Sequence, residues 1–152
     1  MADPHWTAYF SALLTPVVAV FAAIIAASQY TTARNKLRFD LFEKRFAVYQ
    51  GARDFLGAIM TSGKATNEAM LKYLQATHAA KWIVSQEIHD YFEREIYKPA
   101  LELQCLDAEL DGMPVGEGRT KKVERKANLR KHLNAQFADL DTWFSDYLKL
   151  EH

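Results

Sequence analysis

The chain has 152 residues, with 19 basic and 19 acidic side chains and a formal net charge of zero at pH 7. This length predicts one domain, and the balanced charge gives no electrostatic support for a nucleic-acid partner. Cys105 is the single cysteine, which excludes an intramolecular disulfide and fits a reducing compartment. The charge is unevenly distributed, because Asp3 is the only Asp, Glu, Lys or Arg before Arg34.

The first predicted element is a membrane-spanning helix in the apolar stretch at residues 10–28. No charged side chain lies between Trp6 and Ala33. A helix over the stretch is roughly 28 Å long, close to the ~30 Å hydrocarbon core of a bilayer. Its large apolar side chains contribute roughly −2 to −5 kcal/mol to insertion. Residues 1–30 are therefore predicted to form a short outside leader and a transmembrane helix that tolerates Pro16.

The residues that flank this stretch predict its orientation. The leader contains no Lys or Arg, whereas basic residues follow the stretch closely. The positive-inside rule then places the amino terminus outside and residues 31–152 in the cytoplasm. The interfacial anchors predicted at the two ends are Trp6, Tyr9, Tyr30, Arg34, Lys36 and Arg38.

Two alternatives apply to the same apolar stretch. A cleaved signal peptide would have a basic leader, which this chain lacks, although Ala26, Ala27 and Ser28 resemble a cleavage site. A buried core helix of a soluble protein is the second alternative. The absence of charge and the basic residues at one end oppose it.

Small side chains recur on one face of the predicted span, at Ala19, Ala23 and Ala27. This small-xxx-small spacing lets two membrane helices approach closely, and it predicts a packing face for self-association. The alternative interpretation is that alanine is simply common in membrane helices.

The helix of the span is predicted to continue past residue 31, because residues 31–56 contain no proline and Gly51 is their only glycine. Two neighbouring apolar stripes give this continuation a wide apolar face. The interleaved Asp40, Glu43 and Asp54 favour packing against other helices over binding along a membrane surface. The first break is predicted at residues 61–66, where Gly63 can end one helix and Thr66 can cap the next. The stripes consist of Leu37, Leu41, Val48, Phe55 and Ile59, and of Phe39, Phe42, Phe46, Tyr49 and Leu56.

Two more helices are predicted before residue 111. The second helix extends to about Val84, and Ser85 is a good N-cap for the third. Pro99 should kink the third helix, because its ring clashes with the carbonyl four residues earlier. The apolar side of the second helix consists of Met70, Leu71, Leu74 and Trp82. The third helix has a packing seam of Ile88, Phe92, Ile96, Pro99, Leu103, Leu106 and Leu110.

A loop is predicted at residues 111–118, where glycine and proline are concentrated. A final helix follows from about Arg119 to Leu148, and its basic beginning either contacts anionic lipid headgroups or forms a solvated face. Four long helices with short turns predict an all-α fold, in which the transmembrane helix continues into an antiparallel cytoplasmic bundle. The basic cluster contains Lys121, Lys122, Arg125, Lys126, Arg130 and Lys131. The apolar positions of the last helix are Val123, Leu133, Phe137, Leu140, Trp143, Phe144 and Tyr147.

Several of these residues resemble a known group of proteins. Trp6, the pair at residues 15–16 and the run K-L-x-x-D-L-F-x-x-R-x-x-V-Y at residues 36–49 are similar to small bacterial inner-membrane proteins of unassigned function. The likeness extends more weakly to residues 76–96 and fades after Asp111. The resemblance implies a single-span anchor in the inner membrane and a helical cytoplasmic part, and it implies no activity.

Few residues indicate chemistry. His89 and Glu93 lie one helical turn apart, a spacing that can hold a divalent metal, but a metal site needs more ligands. A solvated helix face is the favoured interpretation, and His78 and His132 are expected at the surface. Cys105 is expected to be a buried or half-buried thiol with no cation to activate it. No catalytic residue, cofactor or metal is therefore predicted.

These patterns predict a non-enzymatic, single-pass membrane protein whose cytoplasmic helices act as an interaction or scaffold module. Its expected partners are the lipid bilayer and either further copies of the chain or another membrane protein, without nucleic acid or a small-molecule substrate. The alternative function is a toxin- or holin-like effector that oligomerises in the inner membrane. One span with few polar residues is a poor pore lining, which disfavours this alternative.

Overall fold

A computed structural model describes the backbone of residues 6–149 and the side chains of residues 16–149. Over these residues the chain is all-helical and contains no strand, as predicted. It divides into two units, residues 1–40 and residues 41–152. The elements are α1 (Trp6–Ser62), α2 (Asn67–Thr77), α3 (Ala80–Ile83), α4 (Gln86–Tyr91), a π-helical turn (Phe92–Tyr97), α5 (Lys98–Leu110) and α6 (Glu117–Phe144).

The first helix, α1, is one unbroken element of 57 residues with Pro16 inside it. This confirms that the helix of the apolar stretch continues well past residue 31. The wide apolar face predicted for the continuation is only partly correct. Phe55, Leu56 and Ile59 are buried, whereas Leu37 is exposed. Periodicity identifies an apolar face, but it does not say how much of that face other helices cover.

The turn between α1 and α2 has the predicted signals. Gly63 has a φ of +72°, in the left-handed region that glycine adopts without strain. The Thr66 hydroxyl accepts a hydrogen bond from the backbone N–H of Ala69 at 3.2 Å, which caps α2. Ser85 caps α4 in the same way, through the N–H of Ile88. The predicted break and both predicted caps are confirmed.

The second predicted helix differs from the structure in length and in its buried face. It is interrupted by a turn at residues 78–79, so that α2 and the short α3 are separate elements. Met70 is buried as predicted, but Leu71, Leu74 and Trp82 are exposed. The buried face instead contains Tyr73 and Thr77, and their hydroxyls donate to backbone carbonyls. Satisfied hydroxyls can occupy a core position, which counting aliphatic residues does not reveal.

The predicted seam of the third helix is largely confirmed. Its buried members are Ile88, Phe92, Ile96, Leu103 and Leu106, while Pro99 and Leu110 are half-buried. The kink at Pro99 stays a prediction, and a π-helical turn at Phe92–Tyr97 ends two residues before this proline. Proline cannot donate to the carbonyl four residues earlier, and a wider turn accommodates its ring.

The last helix begins at Glu117, and it ends at Phe144 rather than near Leu148 as predicted, because residues 145–148 form turns. It runs antiparallel to α5 and the π-helical turn, since residues later along that segment contact residues earlier in α6. The three contacts that establish this order are Glu95 with His132, Glu102 with Arg125, and Glu109 with Lys122. Leu133, Leu140 and Phe144 are buried, whereas Val123 and Trp143 are exposed, so the predicted apolar side is partly correct.

The core of the unit at residues 41–152 is rich in aromatic contacts. The ring centroids of Phe55 and Tyr73 are 4.6 Å apart, and those of Phe92 and Phe144 are 5.9 Å apart. These pairs join α1 to α2 and the π-helical turn to α6. Aromatic pairs at such distances stabilise a core beyond the area that they bury.

Gly51 marks a close approach between α1 and α2. A Cβ atom on Gly51 would collide with the Cβ of Ala76, whereas a Cβ on Gly57 of the same helix would meet nothing within 4 Å. We expect Gly51→Ala to destabilise the fold by about 1–3 kcal/mol through overpacking. Gly57→Ala should stabilise it by roughly 0.5–1 kcal/mol, because alanine is the better helix former.

Urea unfolding of the full chain in mild detergent, followed by near-ultraviolet circular dichroism, measures both effects. Adding Ala76→Gly to Gly51→Ala should recover most of the loss. Equal stability of the two single variants would contradict the close approach.

Candidate functional site

The apolar stretch of α1 is exposed over all of its described side chains. One helix in the described part of the chain, residues 16–62, is long and apolar enough to cross a membrane. Its most apolar 18-residue window has a mean hydropathy of 1.5, and none of that window is buried. Val17, Val18, Val20, Phe21, Ile24 and Ile25 are each between 46% and 62% exposed.

The hydroxyl groups near the end of this stretch are satisfied within the helix. Ser28 Oγ donates to the carbonyl oxygen of Ile25 at 2.8 Å, and Thr31 Oγ1 donates to that of Ala27 at 3.0 Å. Thr32 Oγ1 donates to the carbonyl oxygen of Ser28 at 2.9 Å. These bonds remove the need for an outside partner, so the three hydroxyls are compatible with apolar surroundings.

The side chains predicted to pack or anchor the span lie along the same helix. Ala19, Ala23 and Ala27 are exposed and recur on one face of α1. Tyr30, Arg34, Lys36 and Arg38 are also exposed and follow the apolar stretch. The side chains of Trp6 and Tyr9 lie outside the described side chains. The roles of all these residues at a membrane stay predictions.

The basic beginning of α6 is engaged by acidic residues. Arg125 makes a bidentate contact with Glu102, at 2.6 and 2.9 Å, and this bond to the guanidinium lowers the pKa of the Glu102 carboxyl. Lys126 pairs with Asp107, whose Oδ2 is buried and has no hydrogen-bond partner. The other two pairs are Lys121 with Glu117 and Lys122 with Glu109. The contacts with Glu102, Asp107 and Glu109 show a further use of the cluster, namely holding α6 against α5, that the sequence pattern did not indicate.

His132 was expected at the surface, but it is half-buried and has a defined partner. Its Nε2 donates to the backbone carbonyl of Glu95 at 3.1 Å. That carbonyl lies four residues before Pro99, which has no N–H to offer it. The imidazole of α6 therefore gives the Glu95 carbonyl a hydrogen bond from a different helix. Sequence spacing gave no signal for this contact, because the partners are distant in the chain.

Two further groups of polar contacts join α6 to the rest of its unit. The Tyr49 hydroxyl donates to Asp141 Oδ1 at 2.6 Å, and Arg53 donates to both groups at 2.8 Å. Burial, followed by the contact with Asp141, raises the pKa of Tyr49. The Tyr91 hydroxyl donates to Oε1 of buried Gln136 at 2.9 Å, and burial raises the pKa of Tyr91 as well. These tyrosines stay protonated at neutral pH and serve as hydrogen-bond donors.

The residues considered for chemistry do not converge. His89 is half-buried and Glu93 is exposed, and no group of three His, Cys, Asp or Glu side chains in the described residues is arranged to hold a metal ion. The expectation for Cys105 is wrong, because the thiol is exposed. Cys105 follows buried Leu103 by two residues, which turns it away from the buried side of α5. His78 is exposed as expected, and its Nδ1 donates to the carbonyl of Gln75.

An open groove of about 440 Å³ lies between α1 and α2. Its lining includes Phe55 and Tyr73, which are buried, and the exposed Asp54. The groove mixes an apolar floor with a polar rim, as small binding sites commonly do.

No known family model matches this chain, and neither a curated protein nor a solved structure matches it. The resemblance of residues 36–49 to small inner-membrane proteins stays a prediction. The geometry of the described residues therefore carries the functional argument.

The Glu102–Arg125 contact predicts a pH dependence. Because the pKa of Glu102 is lowered from its ordinary value of 4.5, its contribution to stability is present above about pH 4.5. It is lost as the pH falls through the lowered pKa of the folded state. We expect Glu102→Gln to lower the thermal midpoint slightly at neutral pH, since the pair is solvent-exposed.

The difference between Glu102→Gln and the unmodified chain should shrink toward acid pH in melts followed by circular dichroism. Glu124→Gln, an exposed neighbour on α6 without an ion pair in the described structure, serves as the control and should show no such trend. A constant difference at all pH values would contradict the proposed role of Glu102.

Proposed function

We propose that this chain is a single-pass inner-membrane protein whose helical domain acts as a non-enzymatic interaction or scaffold module. In this proposal residues 1–30 contain the outside leader and the membrane span. Residues 31–152 form the cytoplasmic part, where the helices from α1 to α6 build an antiparallel bundle. The bilayer and a protein partner, which is a further copy of the chain or another membrane protein, are its ligands.

The observation that carries the proposal is the exposure of the apolar stretch over residues 16–28, where its side chains are described. Contiguous apolar side chains such as Val20, Phe21 and Ile24 would contact water in a soluble monomer, which such proteins rarely allow. A bilayer supplies the missing apolar surroundings at the right length. The satisfied hydroxyls of Ser28 and Thr31 support the same interpretation, because they expose no unpaired polar group to lipid.

The use of polar side chains supports a scaffold role over an enzymatic one. Tyr49, Arg53 and Asp141 bind one another across α1 and α6, and His132 bonds to the backbone near Pro99. These groups hold helices together and leave the helix surfaces free for partners. Basic residues after the span, at Arg34, Lys36 and Arg38, support the orientation with the helical domain inside.

A double substitution at the centre of the stretch tests the membrane anchor. Phe21→Arg with Ile25→Arg should release the chain, because each central arginine costs about 2.5–3.5 kcal/mol of insertion free energy. The measurement is the fraction of full chain that pellets with membranes after an alkaline carbonate wash. Val115→Arg with Val123→Arg adds the same charge at exposed sites and should leave the chain in the pellet. Recovery of the unmodified chain in the supernatant without detergent would overturn the proposal.

Reporter fusions test the orientation. A phosphatase that is active only outside the cytoplasm should be inactive at the carboxyl end, and a green fluorescent protein there should be bright. Replacing Arg34, Lys36 and Arg38 with glutamine and adding lysines at Ala2 and Asp3 should reverse both signals, since the positive flank then lies at the amino terminus. An active phosphatase on the unmodified chain would place the helical domain outside.

A further inference from the structure

The groove between α1 and α2 has the features of a docking site. Its volume of about 440 Å³ lies within the range of roughly 300–1,000 Å³ that small binding sites occupy. Phe55 and Tyr73 form the buried floor, and small residues such as Ala58 and Ala69 line the walls. Low walls above an aromatic floor leave room for a large flat side chain.

The groove carries one uncompensated negative charge. Lys72 Nζ lies 2.7 Å from Glu68 Oε1, so these two lining residues neutralise each other. Asp54 is exposed and makes no ion pair or hydrogen bond with another side chain in residues 16–149. An occupant that combines an aromatic ring with a positive charge would complement this surface.

The same unit of the chain presents such a pair on α3. Trp82 is 82% exposed, the largest exposed fraction of any aromatic side chain among the described residues. Lys81 Nζ lies 5.2 Å from the centre of its ring, and this lysine has no ion pair in the described structure. Arg45 Nε donates to the carbonyl oxygen of Ile83 at 3.0 Å, which holds α3 against α1 and fixes the backbone below the indole.

We propose that two copies of this chain dock reciprocally, with Trp82 of each copy in the groove of the other. Lys81 of one copy then pairs with Asp54 of the other. Tryptophan is among the residues that most often dominate binding at protein interfaces, and an apolar pocket with a charged rim suits it. Reciprocal docking uses each contact twice and closes a symmetric dimer. The proposal rests on the proposed scaffold function and names its partner as a second copy.

The experiment uses the full chain in mild detergent, labelled at Cys105. This thiol is exposed and is the only cysteine, so donor and acceptor dyes can be attached to it directly. Energy transfer between the two labelled populations then reports the dimer dissociation constant. Near-ultraviolet circular dichroism of each variant confirms that the fold is retained.

We expect Trp82→Ala to raise the dissociation constant by about 30-fold or more, the effect of losing an interface hot spot. Asp54→Lys and Lys81→Asp should each raise it by about tenfold, since each puts like charges together. The double variant Asp54→Lys with Lys81→Asp should return to within about threefold of the unmodified chain. Leu71→Ala, another exposed apolar side chain of the same unit, is the matched control and should change nothing.

Other results would overturn the reciprocal dimer. If the two charge reversals each raised the dissociation constant and their effects added in the double variant, Lys81 and Asp54 would not form an ion pair between the copies. If Ala23→Leu abolished energy transfer and Trp82→Ala left it unchanged, the contact between copies would lie in the apolar stretch instead. If Trp82→Ala released the chain from lipid vesicles, the indole would be a contact with lipid rather than with a second copy.

Carbonate pelleting of the same variants separates this proposal from the membrane anchor. A Trp82→Ala chain that loses energy transfer but stays in the pellet supports the dimer and leaves the anchor intact. An unmodified chain that transfers energy but stays in the supernatant would refute the anchor alone.

Discussion

One feature governs the organisation of this protein: the apolar surface of α1 is buried in one part of the helix and exposed in the other. Phe55, Leu56 and Ile59 are covered by other helices of the chain and belong to its core. Val20, Phe21 and Ile24 are between 59% and 62% exposed. At roughly 25 cal/mol per Å² of apolar surface, leaving the second group in water is costly. The proposed bilayer removes that cost.

Both apolar and polar contacts between distant segments stabilise the helical core. Aromatic pairs such as Phe92 with Phe144 supply the buried area, whereas Tyr49, Arg53 and Asp141 fix how α6 lies against α1. The acidic residues of α5 and the basic residues of α6 pair along their length, so the charge cluster of α6 has an internal use. A partner would therefore meet mainly the exposed apolar and aromatic features that this network leaves outside.

Much of the architecture could be predicted because its signals are local. Gly63 and Thr66 mark the first break, Ser85 caps α4, and the seam from Ile88 to Leu106 is buried as its spacing indicates, except at Pro99. A cap or a turn depends on residues within one helical turn, which the sequence contains directly. The apolar side of α2 was misassigned, because Tyr73 and Thr77 occupy the core through bonds to carbonyls that no local pattern reveals.

The sequence alone determined the all-helical class, the uncharged apolar stretch with its basic flank, and the positions where most helices begin and end. Only the tertiary structure decided that the core covers α1 from Val48 onward, that His132 donates to the carbonyl of Glu95, and that Cys105 and Trp82 are exposed. The physical reason is that helix formation and capping depend on neighbours in the chain. Burial depends on which distant helix arrives at a given face, and that is settled only when all the helices pack together.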